Sequence, residues 1–117
     1  MPAPSPIKIA TQAVTRLTTE EKYYQKELSS QNSRIEKLEA DLKAGNDADG
    51  NAEFVIRQEG KALEETKAVF GPLKQRIIEA AQRLEEQIAT AEDDNGTNAE
   101  ELAKAKEVLA SVPKDDA

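Results

Sequence analysis

Histidine and cysteine, the commonest catalytic bases and nucleophiles, are absent from this 117-residue chain, and carboxylates are its most plentiful groups for acid–base chemistry. Adjacent carboxylates occur at Glu64-Glu65, Glu85-Glu86 and Glu100-Glu101. These pairs lie among lysines and arginines in segments of helical pattern, which is typical of solvated helix faces and i,i+4 ion pairs. The sequence also lacks a glycine-rich phosphate loop. We therefore expect no enzymatic activity and no bound cofactor.

One short segment has the composition of a calcium-binding loop, namely residues 46–51 (NDADGN). A calcium loop of the EF-hand type requires a bidentate glutamate at its twelfth position and a glycine at its sixth. Counted from Asp47, the twelfth residue is Gln58, and Gly50 comes too early. The segment therefore predicts a solvated turn, and the absence of cysteine leaves no thiolate metal site.

Composition limits the classes of partner. The formal net charge of −7 argues against nucleic acid, because phosphate binding requires a basic surface. No apolar run approaches the length of a membrane span, and the first residues lack a signal-peptide pattern, so we expect a cytoplasmic protein without membrane contact. Aromatic residues make up 3% of the chain and charged residues 33%. These proportions favour long helices that pack through narrow apolar seams.

The longest helical pattern, from Ala52 to Ala91, predicts the middle helix. Its seam residues are separated by alternating steps of three and four: Ile56, Glu59, Leu63, Thr66, Phe70, Leu73, Ile77, Ala80, Leu84, Gln87 and Ala91. A second row of Val55, Ala62 and Val69 widens the apolar face, which predicts a neighbour on each side. A kink is expected at Gly71-Pro72. The seam keeps its phase there, which favours one bent helix over two.

The first helix is predicted from Pro6, after a Ser5 cap, to a stop at Lys43-Ala44-Gly45. Two of its seam residues, Glu21 and Gln31, are polar; they set the register or are partly exposed near a bundle edge, and a direct ligand role is the third alternative. A capping box of Thr97 and Glu100 begins the last helix. The seam of the first helix contains Ile7, Ala10, Val14, Leu17, Glu21, Tyr24, Leu28, Gln31, Ile35, Leu38 and Leu42. The seam of the last helix contains Leu102, Ala105, Leu109 and Val112.

These elements predict an all-α fold: a single domain over residues 1–117 that forms an elongated antiparallel three-helix bundle with coiled-coil packing. The helices are expected at about 6–43, 52–91 and 98–112, two long and the third short. With short turns, the third helix can pack only against the start of the first and the end of the second. The opposite tip, around residues 35–63, is then a two-helix hairpin. Its broadened apolar face is either an interaction site or a wide hairpin seam.

The run RLTTEEKYYQKEL at residues 16–28 closely resembles the tubulin-binding cofactor A family. The similarity covers nearly the whole chain in order and includes the proline within the middle helix. Gly71 departs from the family pattern, in which relatives carry a bulky apolar residue before the proline, and the loop at 44–51 has its own composition. Supporting matches are Ile7-Lys8-Ile9, Leu63-Glu64-Glu65-Thr66-Lys67, Pro72, Gln75-Arg76, Glu79-Ala80-Ala81, Ala105-Lys106 and Val108-Leu109-Ala110-Ser111-Val112.

The resemblance implies a cytoplasmic, cytoskeleton-associated three-helix protein that binds β-tubulin after its release from the chaperonin. Such a protein holds β-tubulin before the α/β heterodimer is assembled with other tubulin-folding cofactors, and it needs neither nucleotide nor metal. One alternative is a structural coiled-coil scaffold or self-associating module without tubulin specificity. Another is a general holdase for unfolded proteins. The sequence does not decide between a monomer and a homodimer.

Within the matching run, the seam explains Leu17, Tyr24 and Leu28 as core residues, and four residues have no such explanation. A surface tyrosine such as Tyr23 is frequently an interface anchor, although its ring could instead pack along its own helix. Together with three apolar residues of the middle helix, the four residues form the predicted partner-binding set: Arg16, Glu20, Tyr23, Glu27, Phe54, Val55 and Val69.

Overall fold

The chain folds into three α-helices: α1 at Pro6–Lys43, α2 at Ala52–Glu92 and α3 at Ala99–Ser111. The structure is a computed structural model, and it describes residues 3–94 and 96–113. No strand occurs in these ranges, so the prediction of an all-α fold with two long helices and a short third is confirmed. None of the described helices is both long and apolar enough to pass through a membrane.

Both ends of α1 are capped by the residues that the sequence indicates. The backbone N–H of Lys8 donates to Ser5 Oγ at 3.2 Å, and Pro6 is the first helical residue, where its missing N–H is harmless. At the other end, Gly45 has a φ of +79°. The N–H of Asn46 donates to the carbonyl of Asp41, and that of Gly45 to Leu42. These two bonds form a Schellman motif, which requires the left-handed conformation that glycine adopts without strain.

The segment between α1 and α2 is a tight turn. The N–H of Gly50 donates to the Asp47 carbonyl at 3.3 Å, and Gly50 has a φ of +71°. The side-chain Oδ1 of Asp47 accepts from the N–H of Ala52 at 3.2 Å, where α2 begins. This carboxylate therefore satisfies a free donor at the helix N-terminus and interacts favourably with its partial positive charge.

Helix α2 continues through Gly71 and Pro72 without interruption. A proline disfavours helical backbone in the residue before it, partly through a clash between its Cδ atom and the preceding Cβ. Gly71 has no Cβ, so this part of the clash is absent. The predicted bend at this position stays a prediction.

Helix α3 begins at Ala99, with Asn98 as its N-cap. Asn98 Oδ1 accepts from the N–H groups of Glu100 at 2.8 Å and Glu101 at 3.1 Å. The predicted capping box of Thr97 and Glu100 is therefore wrong by one residue. Asn98 Oδ1 reaches both free donors from the N-cap position, and the Thr97 N–H instead closes a turn on the Asp94 carbonyl.

The chain divides into two compact units. Unit 1 combines the described residues up to Glu20 with those from Leu73 onward, and unit 2 is Glu21–Pro72. In unit 1, Ser5 Oγ donates to Glu101 Oε1 at 2.8 Å, and one shallow groove brings Pro6 together with Ala91. The start of α1 thus lies beside the end of α2 and the start of α3, which makes α1 and α2 antiparallel in this unit.

The core of unit 1 contains residues from all three helices, which confirms the predicted packing of α3 against the start of α1 and the end of α2. Three of its buried residues lie outside the predicted seams, namely Thr11, Ile88 and Val108. Thr11 and Ile88 each directly follow a seam residue, so α3 widens the buried face of its neighbours. The hydrophobic core cluster is Ile7, Ala10, Val14, Leu84, Ile88, Ala91, Ala105 and Val108.

Candidate partner-binding site

Unit 2 differs from unit 1 in what it buries. Residues 21–72 are all described, and they contain only a part of α1, the turn and a part of α2. None of their hydrophobic side chains is buried, whereas Glu21, Gln31 and Thr66 are, with exposures of 6%, 5% and 8%. The side chains that the two helices enclose most fully are therefore polar. Every apolar seam residue of unit 2 is only half-buried.

The two polar seam residues of α1 are among the most enclosed side chains of unit 2. The predicted alternative of partial exposure is wrong for both Glu21 and Gln31. Gln31 Oε1 is buried and accepts no hydrogen bond from the described residues. A buried polar group at a seam position lowers stability and disfavours other registers, so the register-setting interpretation stays in place as a prediction.

One row of side chains on α2 forms an apolar edge of unit 2. Val55, Ala62 and Val69 are each half-buried and follow one another at intervals of seven residues. Seven residues are almost two helical turns, so the three lie on one face of α2, about 10 Å apart along its axis. Thr66 lies between Ala62 and Val69 on this face, and its hydroxyl donates to the Ala62 carbonyl at 3.1 Å.

A row on α1 has a different character. Tyr23 is 63% exposed, although its ring meets that of Tyr24 edge-on, with centroids 5.4 Å apart. Glu27 lies one turn further along, and Arg34 lies seven residues beyond Glu27. Arg34 Nη2 is 3.9 Å from Glu27 Oε1, so these two residues share a face of α1. This row is polar and charged, with one aromatic ring at its end.

An ion pair places the two rows side by side. Arg34 Nε is 3.8 Å from Glu59 Oε2 on α2. Glu59 is four residues after Val55 and three before Ala62, and residues at these spacings are neighbours on a helix surface. The charged row of α1 therefore borders the apolar row of α2. We refer to the surface formed by these two rows as the open face of unit 2: Tyr23, Glu27, Arg34, Val55, Ala62 and Val69.

Four of the seven predicted partner-binding residues lie on this open face: Tyr23, Glu27, Val55 and Val69. Phe54 is 54% exposed but lies about 100° around α2 from Val55, outside the row. In unit 1, Arg16 borders a groove between α1 and α3 that also contains Lys8 and Lys104. Glu20 is exposed on α1 and forms no ion pair with residues 3–94 or 96–113.

Two members of the open face, Arg34 and Ala62, were not in the predicted set. Ala62 belongs to the second apolar row, but it was not selected as a partner-binding residue because its side chain is small. Arg34 follows Glu27 by seven residues, so the spacing of the charged row could have found it. The open face offers apolar contact, one aromatic ring and a few charges, and no cluster of potential metal ligands occurs in the described parts of the chain.

Comparison with known proteins identifies a family to which the chain is similar. Residues 2–109 match the family described as tubulin binding cofactor A. The chain is 37% identical over 106 residues to the tubulin-specific chaperone A of Mus musculus, covering 91% of this chain and 89% of that protein. It is 31% identical over 110 residues to the protein of the same name from Saccharomyces cerevisiae, covering 94% and 92%. The corresponding Homo sapiens protein is 36% identical over 106 residues, with 91% and 89% covered. No solved structure matches the chain significantly.

Proposed function

Because this chain belongs to the tubulin binding cofactor A family, we propose that it is a chaperone that binds β-tubulin folding intermediates after their release from the chaperonin. It holds them until the α/β heterodimer is assembled, and it meets the other tubulin-folding cofactors only indirectly, through that client. It acts in the cytoplasm and in association with the cytoskeleton. Its relatives are named chaperones, and the chain is not an enzyme.

The open face of unit 2 supports this function best. A subunit that lacks its partner exposes an apolar interface that would aggregate, and a chaperone without nucleotide chemistry can protect it only by covering that interface reversibly. Unit 2 has half-buried apolar residues and no buried ones, so it can add apolar contact without first unfolding a core of its own. The charged row beside them orients the client and keeps the free chaperone soluble.

Mixing the protein with purified β-tubulin tests the proposal. We expect a stoichiometric complex in size-exclusion chromatography with light scattering. Only self-association would instead support a structural scaffold, in which the Val55, Ala62 and Val69 row meets a second copy. A general holdase would be supported if the protein suppressed the aggregation of an unrelated unfolded protein, measured by light scattering, as well as it suppresses that of β-tubulin.

Two substitutions test whether the open face carries this binding. Tyr23→Ala and Val55→Ser should each weaken the β-tubulin complex about ten-fold, which is typical of losing an interface anchor. Helicity and melting should change little, because Tyr23 is mostly exposed and Val55 is half-buried. Gln25→Ala, on an exposed position of α1, is the matched control for Tyr23→Ala and should bind β-tubulin normally. Loss of folding in either variant would instead place that residue in a core.

A further inference from the structure

We propose that the element that occupies the open face of unit 2 is an amphipathic α-helix of the client, lying along the border between the two rows. This inference rests on the proposed function and adds the structural class of the bound segment. The periodicity of both rows, their charges and the ion pair between the two helices point to it.

The apolar row has the period of a helix partner. Val55, Ala62 and Val69 recur every seven residues, and side chains at this interval stay in register with a second helix that crosses at a shallow angle. The small Ala62 at the centre of the row lets a second backbone approach closely.

The charged row has the same interval and an alternating sign. Asp41 continues this row beyond the open face as defined above, so that Glu27, Arg34 and Asp41 follow one another every seven residues as acid, base and acid. Glu27 and Asp41 are half-buried on unit 2, and the side chain of Arg34 is 55% exposed. In helical assemblies, charges beside the apolar seam select the partner and its register. The complementary helix therefore has base, acid and base at heptad spacing along the edge that faces α1.

The polar contacts of the two rows fit a helix that lies on the surface and does not insert between α1 and α2. Arg34 joins Glu59 across the two helices, and Thr66 is buried between Ala62 and Val69. A client side chain that penetrated between α1 and α2 would separate this ion pair. A helix resting on the two rows leaves it intact and covers about 20 Å of α2, or roughly fourteen client residues.

Site-specific cross-linking reads the class of the bound segment directly. The chain has no cysteine, so Val55→Cys, Ala62→Cys and Val69→Cys each provide a single attachment point for a short photo-reactive group. Each labelled full-length protein is mixed with purified β-tubulin, irradiated and digested, and the cross-linked client residues are identified by mass spectrometry. Ala89→Cys, an exposed alanine of α2 outside unit 2, is the matched control.

We expect the three positions to label one client segment in order, at steps of about seven residues, because helices share a rise of 1.5 Å per residue. Steps of about three residues would indicate an extended strand, and labels scattered over separate segments would indicate an irregular surface; either result would overturn the inference. The control should label this segment at least ten-fold less.

A substitution at the centre of the row provides an independent measurement. Ala62→Glu should weaken the β-tubulin complex at least ten-fold, because it places a charge where the two helices approach, whereas Ala68→Glu, on an exposed position of α2, should bind within two-fold of the unchanged protein. Equal binding by both variants would overturn the proposal that a client helix lies on the two rows while leaving β-tubulin binding intact. If the unchanged protein forms no complex with β-tubulin, the proposed function fails and this inference fails with it.

Discussion

Replacing Gln31 by leucine should stabilise the protein. Gln31 is 5% exposed, and its Oε1 accepts no hydrogen bond from the described residues. Leaving a buried acceptor unpaired costs about 1–3 kcal/mol, and leucine removes that group at similar volume while adding apolar contact in the seam. The side-chain amide loses any bond it makes to water, which offsets part of the gain. We expect the free energy of unfolding to rise by about 1–2 kcal/mol.

Urea unfolding followed by circular dichroism at 222 nm measures this change. With an m value of about 2 kcal/mol/M, the midpoint should rise by about 0.5–1 M at unchanged m. If unit 2 unfolds in a transition of its own, the shift belongs to that transition alone. Gln25→Leu, on an exposed position of the same helix, is the control and should change the stability by less than about 0.5 kcal/mol. An unchanged or lower midpoint for Gln31→Leu would refute the conclusion that this acceptor is buried and unpaired.

Two further predictions concern stability. Leu84→Ala should lower the free energy of unfolding by about 3–4 kcal/mol, because Leu84 is fully buried in the core of unit 1, whereas Leu28→Ala, on the half-buried seam of unit 2, should lower it by only about 1–2 kcal/mol. Equal losses in urea titrations of the two variants would contradict the difference in burial between the units. Gly60→Ala should stabilise α2 by about 0.5–1 kcal/mol, and Gly45→Ala should destabilise by about 1 kcal/mol, because both sites have open space but only Gly45 has a positive φ. Thermal melting checks the opposite signs.

The helix ends and seams were predictable because they depend on local chemistry. Pro6 after a serine and Gly45 after an amphipathic run are signals read within a few residues. The start of α3 was placed one residue early because Thr97 and Asn98 are both competent caps. The choice between them depends on which backbone donors each side chain reaches, and this is a property of the folded turn.

The extent of burial was less predictable than the position of the seam. A heptad pattern on one helix identifies the side that faces a neighbour, but it does not say how many neighbours there are. Ile88 and Val108 are therefore buried beside the predicted seams, and Leu28, within a seam, is only half-buried. The same limit applies to the open face: the sequence indicated Tyr23 and Val55, but only the ion pair between Arg34 and Glu59 joins the two rows into one surface.

The turn between α1 and α2 has a practical consequence. A Cβ atom added at Gly45 or Gly50 would meet nothing within 4 Å, and Ala48 and Asp49 are exposed between them. Lengthening a surface connection costs only about 0.6 kcal/mol for each doubling. A fluorescent reporter or an affinity epitope inserted between Ala48 and Asp49 would therefore disturb only two hydrogen bonds described above, those that Asp47 accepts from the N–H groups of Gly50 and Ala52. Such an insertion would allow the protein to be purified from living cells together with any partner bound to it.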